Sequence, residues 1–194
     1  MFGFAVLPTQ EGDLIIATAG LNYHAGSSRR RNSDRVFSSL DGITWVARTN
    51  NAEFGPRKGH ATIVMGSRLF VIGGHMASAQ QPNSFDHAGY MDDIWRSDDI
   101  GVTWSEQTDD VDFGGRNRFG CVSDGLTTAI VVGGQTSGGG GGSIRLNDVW
   151  VSEDRVVTWT RQTNAAPFGT RQEVQVAILG SELIIAGGHD GSTV

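Results

Sequence analysis

Two histidines, His75 and His189, each directly follow a Gly-Gly pair, and the copy of that pair between them is followed by Gln135. Imidazoles at matching points of neighbouring segments are a possible start for a zinc or copper site. No cysteine and no carboxylate stands at a shared fixed spacing from them, so no metal ligand is assigned and no cofactor is expected. Arg57, Arg116 and Arg171 form a second series. A ring of guanidinium groups around a channel would receive carboxylates or an acidic peptide. The same groups can instead be held by acids of a neighbouring segment, such as Asp93 or Asp148. Cys121 is the only cysteine, which excludes an intrachain disulfide. With no acid or histidine at a catalytic spacing, it reads as a small core hydrophobe. Glu173 and Asp190 are conceivable acid/base groups, but no spacing sets them at a glycosidase separation. Arg30-Arg31-Asn32-Ser33 has the pattern basophilic kinases accept, with a solvated basic loop as the plainer account.

These residues sit in a repeat. Trp45, Trp104 and Trp159 are 59 and 55 residues apart, and the same two steps separate Phe54, Phe113 and Phe168, and Arg57, Arg116 and Arg171. Three marker positions in one register indicate tandem copies of a single structural unit. Each copy holds four short apolar runs broken by turn residues, the pattern of a four-stranded antiparallel sheet. In one copy, strand A covers Ala61 to Met65, B covers Leu69 to Ile72, C covers Asp93 to Ser97, and D begins at Thr103-Trp104. Gly66-Ser67 and Gly180-Ser181 suit two-residue hairpins between A and B. The copies divide the chain into blade 1 at about 1–54, blade 2 at about 55–113, blade 3 at about 114–168 and a half blade at 169–194.

Much of the length variation falls after the double glycine, as loops do. The expected B to C loops are Gly20 to Asp34, Gly74 to Tyr90 and Gly134 to Arg145, the last carrying the glycine run Gly138 to Gly142. Loops emerging together on one face of a rigid scaffold make a binding surface. That surface would collect His24, Arg29, Arg30 and Arg31, then His75, Gln80, Gln81, Asn83, Asp86, His87 and Tyr90, then Gln135 and Arg145, with His189 and Asp190 in the matching place of the half blade.

Composition agrees with an all-β fold: 28 glycines and five tryptophans stand against 19% charged residues, fewer charges than helical proteins usually carry. A formal charge of −6 argues against general affinity for nucleic acid, whose binding requires several phosphates to be neutralised. No apolar run approaches the roughly 20 residues that span a bilayer, and Met1 to Gly12 has neither a basic start nor a signal-peptide core. A soluble product is expected, off the membrane, with the cytoplasm as the favoured compartment.

The double glycine closing strand B, the arginine before strand A and the tryptophan opening strand D are similar to the kelch motif. The resemblance covers nearly the whole chain. Ser97-Asp98-Asp99-Ile100-Gly101-Val102-Thr103-Trp104 and Ser152 to Trp159, with a shorter copy from Ser39 to Trp45, resemble the Asp-box hairpins of sialidase-type propellers. The resemblance implies a β-propeller, and kelch-like rings usually hold six or seven blades. Three and a half blades therefore imply an open, incomplete arc, either a piece of a longer propeller or a half-ring completed by a second copy. Galactose-oxidase-like and sialidase-like enzymes share this architecture. With only Tyr23 and Tyr90 as tyrosines, neither a tyrosine-centred copper site nor a Tyr/Glu nucleophile pair facing an arginine cluster assembles from the sequence. The expectation is a protein-binding or scaffolding module without enzymatic activity, with a glycan-recognising or glycan-processing propeller as the alternative.

Overall fold

The computed structural model describes residues 2–23, 30–76, 89–139 and 142–191, with the backbone alone for 21–23, 30 and 31. Fourteen strands follow in chain order: β1 (Gly3–Thr9), β2 (Gly12–Tyr23), β3 (Arg30–Ser39), β4 (Val46–Thr49), β5 (Ala61–Met65), β6 (Arg68–His75), β7 (Tyr90–Ser97), β8 (Ser105–Thr108), β9 (Gly120–Ser123), β10 (Ala129–Gly139), β11 (Gly142–Ser152), β12 (Thr160–Thr163), β13 (Gln172–Leu179) and β14 (Glu182–His189). They make three four-stranded antiparallel sheets, each paired in chain order, and one two-stranded sheet, β13-β14. The first strands, β1, β5, β9 and β13, lie side by side. The sheets therefore radiate from a common inner line as the blades of a propeller arc, and among the described residues the first and last sheets share no strand. No helix among the described residues is long and apolar enough to cross a membrane.

Strand B of each middle blade is buried on both faces, which is why it reads as a continuous apolar run and not as an alternation. Leu69 and Val71 of β6 point back to blade 1, where they meet Leu7, Leu14, Ile16, Val36, Phe54 and Trp104. Phe70 and Ile72 point forward to blade 3, where they meet Phe119, Ala129, Val131 and Trp159. Trp104 and Trp159 each face the preceding blade, edge-on to Phe54 at 5.0 Å and Phe113 at 4.9 Å.

The repeated arginine and double glycine stitch one blade to the next. The N–H groups of Gly20, Gly74 and Gly134 donate to the carbonyls of Arg57, Arg116 and Arg171 at 2.9 to 3.0 Å, each bond crossing a blade boundary. Gly73 and Gly74 take φ of 55° and 105° at a β-bulge between Ile72 and Gly74. A Cβ on Gly74 would stand 2.8 Å from the Cβ of His60, so the neighbouring strand leaves room for glycine only.

The arginine side chain turns into its own blade. Arg57 forms a two-pronged pair with Asp93, Nη1 to Oδ1 at 2.7 Å and Nη2 to Oδ2 at 2.9 Å, and also donates to the carbonyls of Gly73 and Phe54. Arg116 repeats this with Asp148, Gly133 and Phe113. Each aspartate accepts one further bond, from Trp95 or Trp150. Arg57 and Arg116 are each 1% exposed, so the alternative of an open guanidinium ring around the channel does not hold for them, and their partners lie in the same blade and not in a neighbouring one. Arg171 keeps its bonds to the carbonyls of Gly187 and Phe168, and among the described residues it forms no ion pair with a carboxylate.

The hairpins between the third and fourth strands are held by their own side chains. Ser97 donates to Asp99, Asp99 accepts the Thr103 hydroxyl at 2.6 Å, and Gly101 N–H donates to Ser97 Oγ. Asp154 and Ser152 do the same, and the shorter copy keeps Ser39, Asp41 and Gly42 in these roles. Backbone N–H donors of Thr44 and Ile43 hold the Asp41 carboxyl down at about 2. Val156 adopts φ 60° where Gly101 has 81°, a strained choice for a β-branched residue, and its side chain is completely buried between blades 2 and 3.

The expectation of loops between strands B and C changes. The B to C segments of blades 1 and 3 are paired ribbons and not loops: Tyr23 pairs with Arg30, Asn22 with Arg31, Gln135 with Arg145 and Gly139 with Gly142. Cross-strand bonding carries the ladder past the double glycine because the bulge re-aims the strands without ending them. Trp45 is 38% exposed, unlike Trp104 at 5% and Trp159 at 6%, because no sheet precedes blade 1 among the described residues.

Candidate binding face at the channel mouth

Strand A begins, and strand B ends, at the same end of each blade, so the B to C ribbons rise beside the entrance to the inner channel. The bridges Lys58 to His75 and Asn117 to Gln135, and the pair Gln172 to His189, fix that proximity. A cavity of about 440 Å³ opens there along the inner strands, lined among others by His60, Thr62, Arg118, Cys121 and Glu173.

One repeat position governs the rim. Gly59, Arg118 and Glu173 occupy it in successive blades, with φ of 65°, 55° and 60°. Arg118 N–H donates to the Gly59 carbonyl and Glu173 N–H to the Arg118 carbonyl, both at 2.7 Å, so the left-handed turn is imposed by blade-to-blade bonding. Two copies place long charged side chains in a conformation that favours glycine, and such strain collects at functional sites. The two side chains meet across the blade boundary, Arg118 Nη1 to Glu173 Oε1 at 3.1 Å, and stay partly exposed. Gln172 donates its amide N–H to His189 Nε2 at 2.7 Å, and the second Glu173 oxygen lies 3.9 Å from the same nitrogen. The Tyr90 hydroxyl bonds to Ser143 in the next ribbon and lies near Arg118, while burial raises its pKa.

The strain gives a test. Arg118→Gly should be more stable than Arg118→Ala by about 1 kcal/mol in urea unfolding, since both lose the same ion pair and only glycine relaxes the backbone. Equal stabilities would show that position 118 is unstrained.

Beneath the rim, His60 is 7% exposed, with Nε2 2.8 Å from the Thr18 hydroxyl, which also lies 2.6 Å from that of Thr62. Nδ1 has no hydrogen-bond partner among the described residues. Burial, with the Arg57 guanidinium nearby, pushes the imidazole down to about 3. The unfolded chain therefore binds this proton first, near its ordinary 6.5. Stability is full above that value and falls as pH drops toward 3, by at most about 1.4 kcal/mol per pH unit. Melts between pH 7.5 and 5 should show the parent losing stability faster than His60→Gln; parallel curves would remove His60 as the cause.

Of the sequence-predicted residues, His75 is buried in β6, edge-on to Tyr90 at 5.2 Å, and Gln135 and Arg145 face each other across the third ribbon. His189 is exposed at the end of β14, and Asp190 follows it. Arg30 and Arg31 lie on β3, while His24, Arg29, Gln80, Gln81, Asn83, Asp86 and His87 lie outside the described residues. Sequence reasoning missed Arg118 and Gln172 and set Glu173 apart from the face. The signal was the marker register itself, since Gly59, Arg118 and Glu173 are 59 and 55 residues apart like the tryptophans. Cys121 lines the cavity, with its thiol pushed up to about 12 by burial. Among the described residues, no three His, Cys, Asp or Glu side chains converge as a metal site would need.

No family model matches this chain, and no curated protein matches its sequence. Among solved structures, one titled "Structure of YjhT" is similar with a TM-score of 0.69 and 14% identity, covering 90% of this chain and 56% of that one. The likeness is one of fold, and this chain spans a little over half of that protein's length.

Proposed function

We propose that this chain is a kelch-type propeller module with Asp-box-like hairpins that binds a protein partner at the channel mouth and carries out no reaction of its own. The observation that carries this reading is the Arg118–Glu173 pair, held in left-handed backbone and left partly exposed between ribbons of different length. A rigid base with variable projections is how repeat scaffolds select partners. The kelch reading is supported by the Arg57–Asp93 and Arg116–Asp148 pairs and by the bulged double glycines. The Asp-box reading is supported by the Ser97, Asp99 and Thr103 bonds and their copies. Against catalysis stand a thiol held in its protonated form and an Arg118–Glu173 pair that each neutralise the other. Cross-linking from a photoreactive residue at position 135, compared between the parent and an Arg118→Ala/Glu173→Ala variant, tests it. Identical captured species in both would end the proposal for this face.

A second reading, glycan recognition, is favoured by the polar set Arg118, Glu173, Gln172 and His189 beside a cavity bordered by Phe2, Phe4 and Phe119. Such a set pairs hydroxyl-bonding groups with apolar faces. A glycan array with no signal above the double variant would remove this reading.

A further inference from the structure

The end of the arc opposite the channel mouth carries the turns between strands A and B and those between C and D. The register sets the two kinds side by side, since Ile15, Leu69 and Ala129, near the start of strand B, pair with Ser39, Ser97 and Ser152 at the end of strand C. Further bonds join them into one surface. Gly66 N–H donates to the Gly125 carbonyl of the next blade at 2.7 Å, Arg155 N–H to the Thr127 carbonyl at 3.0 Å, and the Gln107 amide to the Val156 carbonyl of the next blade at 3.0 Å. Four aliphatic side chains stand out of this surface: Ile43, Val102, Leu126 and Val157, at 85%, 44%, 68% and 62% exposure. Ile43, Val102 and Val157 share one repeat position, 59 and 55 residues apart. Each of the four is fixed to a carboxylate through its own backbone, because its N–H donates to Oδ1 of Asp41, Asp99, Asp124 or Asp154 at 2.8 to 3.1 Å. In Asp99, Asp124 and Asp154 partial desolvation opposes ionisation and hydrogen-bond donors outweigh it. These carboxyls, like that of Asp41, therefore lie below their ordinary range and stay charged at neutral pH.

The net charge of the chain is gathered at this end. Across the turns 9–13, 39–45, 65–68, 97–104, 124–128, 152–159 and 179–182, nine carboxylates stand against two arginines, a net charge of −7. The rest of the chain, with 12 carboxylates against 13 lysines and arginines, is net +1. One of the two arginines, Arg68, is already paired with Asp98 at 2.8 Å. Single exposed aliphatics are ordinary on a protein surface. Four at one end, each bonded to an ionised carboxylate, combine apolar area with negative potential at fixed positions. That combination selects the occupant. Nucleic acid and anionic lipid are repelled by this charge, and a purely apolar partner would strip water from the carboxylates without pairing them. Lysine and arginine meet both demands, because their stems cover apolar surface while their heads reach the carboxylates. We propose that this end of the propeller docks a basic amphipathic segment of a partner protein, its apolar side chains on Ile43, Val102, Leu126 and Val157 and its Lys and Arg on the carboxylates beside them. The surface is separate from the channel mouth and independent of what the mouth binds.

Fluorescence anisotropy with a labelled synthetic Leu/Lys amphipathic helix should show binding to the full chain that weakens as salt is raised. A Leu/Glu helix should not bind, and a Lys/Ser peptide of the same charge should bind about tenfold more weakly for want of apolar side chains. Val102→Ser/Leu126→Ser/Val157→Ser removes exposed side chains, leaves the backbone donors in place, and should lose about tenfold in affinity for the Leu/Lys helix. Asp98→Asn/Glu153→Gln, two carboxylates that do not hold the turn backbone, should weaken binding and flatten its salt dependence. Arg118→Ala/Glu173→Ala at the mouth should bind the helix as the parent does. Every variant is first checked for parent-like circular dichroism. A parent chain that does not bind the Leu/Lys helix would overturn the proposal, as would a triple serine variant that binds like the parent, since charge alone would then account for the affinity. Loss of binding in the mouth variant would place the helix at the other end and equally overturn it. So would flotation of the parent, but not of the triple variant, with phosphatidylcholine vesicles, which would assign the aliphatic tips to a membrane surface.

Discussion

Asp93→Ala should cost about 3 to 5 kcal/mol of folding stability, because it leaves the Arg57 guanidinium buried without its counter-charge. Arg57 is 1% exposed, and the substitution strips both prongs of the pair as well as the acceptor of the Trp95 indole N–H. The carbonyls of Gly73 and Phe54 would still hold the arginine, but neutral acceptors do not compensate a full charge away from water. Replacing both partners, as in Arg57→Met/Asp93→Leu, should be less damaging than Asp93→Ala alone, since no charge is then stranded. Guanidinium denaturation of the three proteins measures this. An Asp93→Ala midpoint within experimental error of the parent would mean that the pair contributes nothing and that the repeated arginine is placed by its backbone bonds alone.

Trp104→Ala and Trp159→Ala should each cost about 3 to 5 kcal/mol, while Trp45→Ala should change stability by less than about 1 kcal/mol in dilute, monomeric protein. The three residues share one repeat position and one hairpin context, yet the first two fill the space between blades and Trp45 is 38% exposed. The cost at 104 includes the contact with Phe54 at 5.0 Å and a cavity bordered by Leu69 and Val71, which the rigid sheets cannot close. Thermal unfolding of the three variants distinguishes position in the repeat from position in the arc. Equal losses at all three sites would show that the hairpin alone, and not the neighbouring blade, sets the value of the tryptophan.

The all-β class, the four-strand unit and its register were legible in the residues because tandem copies must each solve the same packing problem. A tryptophan at 45, 104 and 159, an arginine at 57, 116 and 171, and a run such as Leu69 to Ile72 each mark a local requirement of the strand that holds it. The hairpins at Asp99 and Asp154 were legible for the same reason, since their bonds close within five residues. What needed the tertiary structure was every property set by the neighbouring blade. The exposure of Trp45, the intrablade pairing of Arg57 with Asp93, and the extension of β10 and β11 to Gly139 and Gly142 depend on long-range neighbours. The residues of the candidate face divide the same way. Tyr90, Gln135 and His189 could be placed beside it from the double glycine, whereas Arg118 and Glu173 reach one rim only because successive blades bond backbone to backbone across a gap of 55 residues. A repeat writes its local geometry into each copy, but burial and charge pairing at a blade boundary belong to two copies at once, so they are decided only when the blades are set side by side.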